Sequence, residues 1–345
     1  MGENKNNKSF TLELKTIWKY TTFGMLILSG YLLHQLHLFR KNFDPKGKKF
    51  FADVKFHSIR IIFYSMLVIL FRFLMKFYTE NKVLAYCEAY KPKELELYRR
   101  KIKTIIPNLT WYSFLTIFGY GWIAYDHPCI PKSLGGSMIG SKNFLETYPS
   151  LDLRPLDYTY FYLQFGSKLY SFLNTLILER NLSAFWELIL HHYISILLMI
   201  ICLFGNITEI GIVVLLIHDT GDLALNLGYT EKYLLPEKYK FGIVRVMKYI
   251  NMAIFFIFFR VVIQPVSLFS RILNSLSYGI TNIIPYDLNE DNLWRATILA
   301  YFIFGVLLIL YVMNLYWSML LFKILFSAIY KGNYQPDHLI KEKNN

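Results

Sequence analysis

Hydrophobic residues along this chain are gathered into eight long stretches that short polar segments separate. Each stretch is close to the roughly 20 mostly apolar residues that an α-helix needs to cross a bilayer. The pattern therefore predicts an all-α, polytopic membrane protein with about eight transmembrane helices. The stretches lie at 16–35, 58–78, 109–125, 158–178, 183–204, 207–227, 241–268 and 296–326.

The second stretch is the least clear of the eight. Its uninterrupted apolar run, 61–71, is short, and Arg72 and Lys76 follow it. If this segment lay on the membrane surface, the chain would have seven spans. Seven spans would also explain the basic loop 36–57, because eight alternating spans place this loop outside the cytosol, where Lys and Arg are less common. We keep eight spans as the prediction.

Composition and charge favour a membrane protein over the other classes. Of the 345 residues, 54% are hydrophobic and 18% are charged, and the net charge is +13. Soluble domains usually carry about 25% charged residues, and disordered chains are less hydrophobic than this one. In a membrane protein, a positive net charge marks cytosolic loops. We therefore expect membrane lipids around the chain and no nucleic-acid partner.

Basic residues also predict the orientation of the chain. The loops after the second and sixth spans and the C-terminus are basic, whereas the link between the last two spans is acidic. The excess of Lys and Arg in cytosolic loops then places both termini in the cytosol. Lys341 and Lys343 stand fifth and third from the end, as in a dilysine retrieval signal. A solvated polar tail explains them equally well, but we predict the endoplasmic reticulum membrane as the location.

Spans five and six carry an unusual number of ionisable side chains. An aspartate at the centre of a membrane helix costs roughly 2.5–3.5 kcal/mol on insertion scales, so these residues indicate a functional site. They are Glu187, His191 and His192 in span five, and His218, Asp219 and Asp222 in span six.

Helical spacing sorts these side chains into faces. Glu187 and His191 are four residues apart, so they can hydrogen-bond, and Ser195 continues the same face. The three polar residues of span six also have spacings of three and four, so all three can point into one cavity. A carboxylate beside an imidazole fixes its tautomer and raises its basicity. The set therefore suits general acid–base catalysis.

Two other interpretations of this cluster are open. The groups can form a buried hydrogen-bonded cluster that holds two helices together. They can also form a metal centre, but membrane di-iron enzymes use many histidines in HxxxH and HxxHH boxes. This chain has eight histidines in all, and His57, His127 and His338 lie outside the spans. We therefore predict no metal and no resident cofactor.

The two-span cluster resembles a known signature. It contains His-His, a small hydroxyl residue, an Asn and then His-Asp-x-x-Asp, which resembles the signature of ceramide synthases within the TLC-domain family. Further similar elements are Tyr-Pro before span four, Arg followed by Pro in span seven, and a Trp in the last span. The matching residues are His191, His192, Ser195, Asn206, His218, Asp219, Asp222, Tyr148, Pro149, Arg260, Pro265 and Trp317.

The resemblance implies a six-helix TLC-type bundle that N-acylates a sphingoid base. Fatty acyl-CoA would be the co-substrate, and the products would be (dihydro)ceramide and CoA. A homo-oligomer or an accessory subunit stays open. The resemblance favours His191 as acyl carrier or proton acceptor. The catalytic candidates are His191, His192, His218, Asp219 and Asp222, with Glu187, Ser195, Asn206 and Arg260 as supporting residues.

The chain also departs from the family pattern. Glu209 stands where an Arg is expected, and Asn226 and Tyr229 fall in a segment where a Leu-Glu-x-x-Lys element is expected. These departures indicate a divergent member and leave a second function open, that of a non-catalytic TLC-domain protein that binds or moves lipids. A proton-coupled transporter is a third possibility, because buried acids and histidines can relay protons.

The predicted organisation has four parts. Residues 1–57 hold the N-terminal tail, the first span and the basic loop, and 58–94 hold the second span and a linker. Residues 95–330 form the TLC-type domain, and 331–345 form the C-terminal cytosolic tail.

Overall fold

The computed structural model describes residues 3–42, 54–83, 95–125, 127, 130–137, 153–234, 242–269, 272–273 and 290–331. Each of the eight α-helices in these ranges carries one predicted span, which confirms an all-α architecture. The helices are α1 (Glu3–Asn42), α2 (Val54–Tyr78), α3 (Leu95–Phe118), α4 (Pro155–Leu178), α5 (Phe185–Phe204), α6 (Thr208–Leu234), α7 (Gly242–Ile257) and α8 (Glu290–Lys331).

Three of these helices continue into π-helical turns. The segment Thr79–Val83 extends α2, Gly119–Ala124 extends α3, and Phe258–Ile263 and Pro265–Phe269 extend α7. A π turn is wider than an α turn, because each N–H bonds to the carbonyl five residues back. Pro265 lacks a backbone N–H and so cannot complete the regular ladder within the seventh predicted span.

Five of the described helices are long and apolar enough to cross a membrane. The chain is therefore a multi-pass membrane protein. The predicted spans in α1, α3 and α4 are helical but more polar, so the total of eight spans stays a prediction. The five segments are Val54–Lys82, Phe185–Phe204, Thr208–Thr230, Ile250–Phe269 and Glu290–Phe326.

Helices α3 to α8 pack into a closed ring in the order α3, α6, α7, α8, α5 and α4. Helix α6 is largely enclosed, and Ile212, Leu216 and Ile217 on it are fully buried. The ring surrounds the polar residues of α5 and α6, because these two helices contact each other across it.

Helix α2 packs along one face against α4 and α3. Ser65, Val68 and Arg72 lie buried on this face, whereas Ile62 and Met66 are exposed on the other side. The Arg72 guanidinium donates a hydrogen bond to Asn108 Oδ1. The cation that interrupts the second apolar stretch is therefore directed into the bundle, which favours a membrane span over a surface segment. The guanidinium also lies over the rings of Trp111, Tyr112 and Tyr170.

Helix α1 lies outside the ring against α5 and α8. The hydroxyl groups of Ser29 and Tyr193 share a hydrogen bond. Trp18 packs against Tyr316 with ring centroids 6.1 Å apart. The first helix therefore covers the outer side of the helix that carries His191.

An ionic cluster anchors the start of α4. Asp157 Oδ1 accepts a hydrogen bond from Arg154 Nη2 at 2.8 Å, and Asp157 Oδ2 lies 3.2 Å from His127 Nε2. Burial alone would raise the pKa of Asp157, but the hydrogen bonds from His127 and Arg154 outweigh it and hold the pKa below its usual value. Asp157 is therefore a structural anion in the first turn of α4, just before the predicted span.

Some sequence predictions fall outside the described residues. They concern the Tyr148-Pro149 element, half of the basic loop 36–57, and the tail with Lys341 and Lys343. The domain boundaries and the cytosolic position of the tail also stay predictions.

Candidate active site

Three imidazoles from α5 and α6 meet inside the ring. The rings of His191 and His218 are nearly parallel, with centroids 6.1 Å apart and an interplanar angle of 25°. The His192 ring centroid lies 5.4 Å from that of His191. Trp317 of α8 packs edge-on against His191 at 5.0 Å. The structure therefore brings the predicted histidines of both spans together.

Each of these imidazoles has a ring nitrogen without a hydrogen-bond partner among the described residues. These atoms are Nδ1 of His191, Nδ1 of His192 and Nε2 of His218. His218 Nδ1 lies 2.8 Å from the Val214 carbonyl oxygen and so carries the proton. Its Nε2 is then left as an acceptor. An unprotonated imidazole nitrogen can take a proton or act as a nucleophile.

A cavity of about 570 Å³ opens beside the imidazoles. His191, His192 and Trp317 line it, together with apolar side chains such as Phe256 and Leu321. This volume lies within the usual range of small-molecule sites, about 300–1,000 Å³. Polar residues from helix ends on the predicted cytosolic side also line it, among them Lys76, Thr104, Glu179 and Asn181.

Asp222 lies on the cavity wall between two cations. Its Oδ1 accepts a hydrogen bond from Arg260, and its Oδ2 lies 3.6 Å from Lys168 Nζ. Arg260 also donates to the His218 carbonyl oxygen at 3.0 Å. Arg260 comes from the widened π turn Phe258–Ile263. The predicted supporting residue Arg260 is therefore in direct contact with the α6 motif.

Gly221 allows this approach of Arg260 to α6. A Cβ atom at position 221 would lie 2.6 Å from Arg260 Nε and 3.3 Å from its Cδ. Any larger residue would push the guanidinium away from Asp222. The glycine inside the His-Asp-x-x-Asp motif thus has a steric role that the motif alone did not indicate.

Asp219 faces α4 instead of the cavity. Its Oδ2 accepts hydrogen bonds from the Tyr160 hydroxyl at 2.9 Å and from the Gln164 amide. The prediction that all three polar residues of span six point into one cavity is therefore wrong. Three residues fall about 60° short of a full helical turn, and this angle separates Asp219 from Asp222. His218 lines a smaller neighbouring cavity of about 20 Å³ with Ser195.

The predicted hydrogen bond between Glu187 and His191 is not formed. Glu187 instead interacts electrostatically with Lys15 of α1 and Tyr316 of α8. The reason is that α1 covers this side of α5. Ser195, which continues the face, donates its hydroxyl proton to the His191 carbonyl oxygen at 2.8 Å.

Asn206 lies away from the imidazoles, in the turn between α5 and α6. It has a positive φ of 60°, a conformation that Asn adopts more readily than most residues. The distance along α5 from His191 to this turn is roughly 20 Å at 1.5 Å per residue. The described geometry gives Asn206 a role in the turn. Glu209 is buried nearby, in the first turn of α6.

Several residues of the site were missed by the sequence analysis. Lys168 could have been found by the rule that flagged α5 and α6, because it is a charged residue in the middle of a predicted span. The others are neutral and give no such signal: Tyr160 and Gln164 on α4 and Asn314 on α8, which contacts Arg260. No group of three or more His, Cys, Asp or Glu in the described part of the chain is placed to hold a metal ion.

A family profile described as the TLC domain matches residues 102–323. This region runs from α3 to α8 and covers well over half of the chain. The chain belongs to the TLC-domain family. The match confirms the resemblance that the two-span motif carries.

Curated relatives of this TLC-domain protein include enzymes named ceramide synthases. Ceramide synthase 4 of Homo sapiens is 26% identical over 194 residues, which are 56% of this chain and 44% of the relative. Ceramide synthase hyl-2 of Caenorhabditis elegans is 23% identical over 173 residues, half of each chain. The chain thus spans about half the length of the curated relatives it matches.

Proposed function

We propose that this TLC-domain protein is an N-acyltransferase that joins a fatty acyl-CoA to the amine of a sphingoid base. The observation that carries the proposal is the group of three imidazoles, each with an unpartnered ring nitrogen, beside a cavity inside the helix ring. Its similarity to proteins named ceramide synthases supports the same substrates. The products are (dihydro)ceramide and CoA.

The chemistry needs a base next to the reacting carbonyl. A sphingoid amine must lose a proton before its lone pair can attack the thioester carbon, and a neutral imidazole can take that proton. Alternatively, His191 attacks the thioester first, and the amine then displaces the imidazole from the acyl group. In both routes the C–S bond breaks, and the CoA thiolate takes up a proton.

The cavity suits substrates that are polar at one end and apolar at the other. Lys76, Thr104 and Asn181 lie on the side predicted to be cytosolic, where CoA would approach. Phe256 and Leu321 provide apolar surface for alkyl chains. The endoplasmic reticulum membrane, with a cytosolic C-terminus, is the location proposed with this function. A homo-oligomer or an accessory subunit is compatible with it.

The two departures from the family pattern have different consequences. Asn226 and Tyr229 line the cavity, so substrate contacts at this position differ from those in the family pattern. Glu209 lies in the first turn of α6, beside the α5–α6 turn and far from the imidazoles. The divergence at Glu209 therefore leaves the proposed chemistry in place.

An acyltransferase assay on purified protein tests the proposal. Detergent-solubilised protein receives sphinganine with palmitoyl-CoA or a very-long-chain acyl-CoA, and the N-acyl product is measured. We expect product from the wild type and none above background from His191→Ala. His34→Ala, which removes an exposed imidazole on α1, is the matched control and should keep wild-type activity. No product from any substrate pair with well-folded wild-type protein would contradict the proposal and favour a lipid-binding protein.

A further inference from the structure

Lys168 lies in the middle of α4, at the centre of the site. The side chain is only 3% exposed. It lines the main cavity together with His191 and also the small cavity that holds His218. Its Nζ atom lies 3.6 Å from Asp222 Oδ2 and 5.7 Å from the centroid of the Tyr112 ring. The Lys168 side chain therefore borders both cavities that the imidazoles of α5 and α6 line.

Lys168 is the second buried cation that is paired with a single carboxylate. Asp222 is already bonded through Oδ1 to Arg260, which is itself buried. Asp219, the other acid of the motif, is held by Tyr160 and Gln164 and makes no ion pair in the described ranges. A second buried cation on one carboxylate is costly, because each ion loses its hydration on burial. Such a charge in a membrane bundle indicates a functional role.

The chemistry of the proposed reaction excludes a covalent role for Lys168 and favours binding of an anion. Lys168 is a poor acyl carrier, because an acyl group on its amine would form an amide as stable as the product. The ammonium group retains N–H donors beyond the one directed at Asp222, since Lys carries three. The cation is therefore suited to bind a negative charge that appears in the cavity.

We propose that Lys168 binds the oxyanion of the acyl-transfer reaction, an inference that rests on the proposed N-acyltransferase function. Attack on the thioester carbon by the amine or by an imidazole pushes the C=O electron pair onto oxygen. Lys168 Nζ donates a hydrogen bond to this oxyanion. When the electron pair returns to re-form the C=O bond, the C–S bond breaks and the thiolate leaves, taking a proton from the imidazolium.

Steady-state kinetics of the purified full chain test this assignment. Loss of one oxyanion donor typically lowers kcat by about 10²–10³-fold. We expect this loss for Lys168→Gln, with the KM for acyl-CoA within about threefold of wild type. Lys168→Arg keeps the cation and should lose less than about tenfold. Lys103→Gln removes a lysine that is ion-paired with Glu80 outside the cavity, and should keep wild-type kcat.

A pair of inhibitors separates oxyanion binding from a purely structural role. Hexadecylphosphonate mimics the tetrahedral anion, whereas S-hexadecyl-CoA, a thioether, mimics the substrate without forming an oxyanion. Lys168→Gln should weaken inhibition by the phosphonate by about the same factor as kcat and leave inhibition by the thioether unchanged. A structural role would weaken both alike, and so would overturn the assignment.

The outcomes separate this inference from the proposed function. If the wild type makes no product, the proposed function fails. If the wild type is active and a folded Lys168→Gln retains wild-type kcat, only the role of Lys168 is wrong. If Lys168→Gln is unstable by thermal melting, Lys168→Met, which keeps the apolar stem, replaces it, and the same inhibitor ratios decide.

Discussion

The two faces of α6 carry one aspartate each, and the structure uses these aspartates differently. Asp222 lies on the cavity wall between Arg260 and Lys168, beside the imidazoles. Asp219 is completely buried and accepts hydrogen bonds from Tyr160 and Gln164 of α4. The cavity face thus places charges where a reaction can use them, whereas the α4 face satisfies a carboxylate with neutral donors.

This difference shows that a sequence motif can combine two roles within a single helical turn. On the cavity face, Asp222 is paired with two cations next to the imidazoles. On the α4 face, Asp219 ties α6 to its neighbour and so acts as a positioning residue. Substitutions at the two sites should therefore affect activity and stability in different proportions.

The largest effect is expected on the cavity face. Asp222→Asn removes the charge that holds Arg260 and Lys168, so kcat for ceramide formation should fall by at least about 100-fold, in the range seen when a buried charge pair loses one partner. Asp291→Asn changes an exposed acid at the start of α8 and is the matched control. Retention of more than a tenth of wild-type kcat by Asp222→Asn would remove the distinction between the two faces.

A smaller effect is expected when the cavity face is disturbed indirectly. Gly221→Ala places a methyl group against Arg260 and should shift the guanidinium, with a loss of about tenfold in kcat, because small displacements of catalytic groups are costly. Gly305→Ala is the matched control, since a Cβ there meets no atom within 4 Å. Equal kinetics for the two variants would show that the position of Arg260 is not important for the reaction.

The smallest effect on activity is expected on the α4 face. Asp219→Ala leaves the Tyr160 hydroxyl proton buried without its acceptor, at a cost of about 1–3 kcal/mol of stability, and removes one of the two acceptors of the Gln164 amide. We expect a lower thermal midpoint but a loss of kcat below about fivefold.

The triple variant Tyr160→Phe/Gln164→Leu/Asp219→Ala checks this interpretation. Removal of all three members of this hydrogen-bonded group should restore part of the lost stability, because an unpaired buried donor costs more than a missing pair. A loss of kcat for Asp219→Ala as large as that for Asp222→Asn would instead make Asp219 a catalytic residue.

The fold followed closely from the sequence because membrane helices depend mainly on the length of apolar stretches. The meeting of His191 and His218 was also predictable. These residues lie on consecutive helices at similar distances from the turn that contains Asn206, so antiparallel packing brings them to the same depth. The family match to residues 102–323 agrees with this part of the prediction.

The partners of each side chain were harder to predict, because they depend on which helix packs on which face. Glu187 faces Lys15 because α1 covers α5, and no local pattern in α5 contains that information. Asp219 meets Tyr160 for the same reason, through α4. Lys168 is the exception. It could have been identified from the sequence, because it is a charged residue within an apolar stretch.

The π turn at Phe258–Ile263 makes the position of Arg260 depend on the number of residues as well as on their identity. If all six residues of this segment formed an α turn instead, the rest of the helix would rotate by about 100°. Gln264, which accepts a hydrogen bond from Asn314 at 2.9 Å, would then face another direction. The number of residues in this segment is therefore constrained, and a comparison of residue types alone does not reveal this constraint. One-residue insertions and deletions are the changes to look for in related chains.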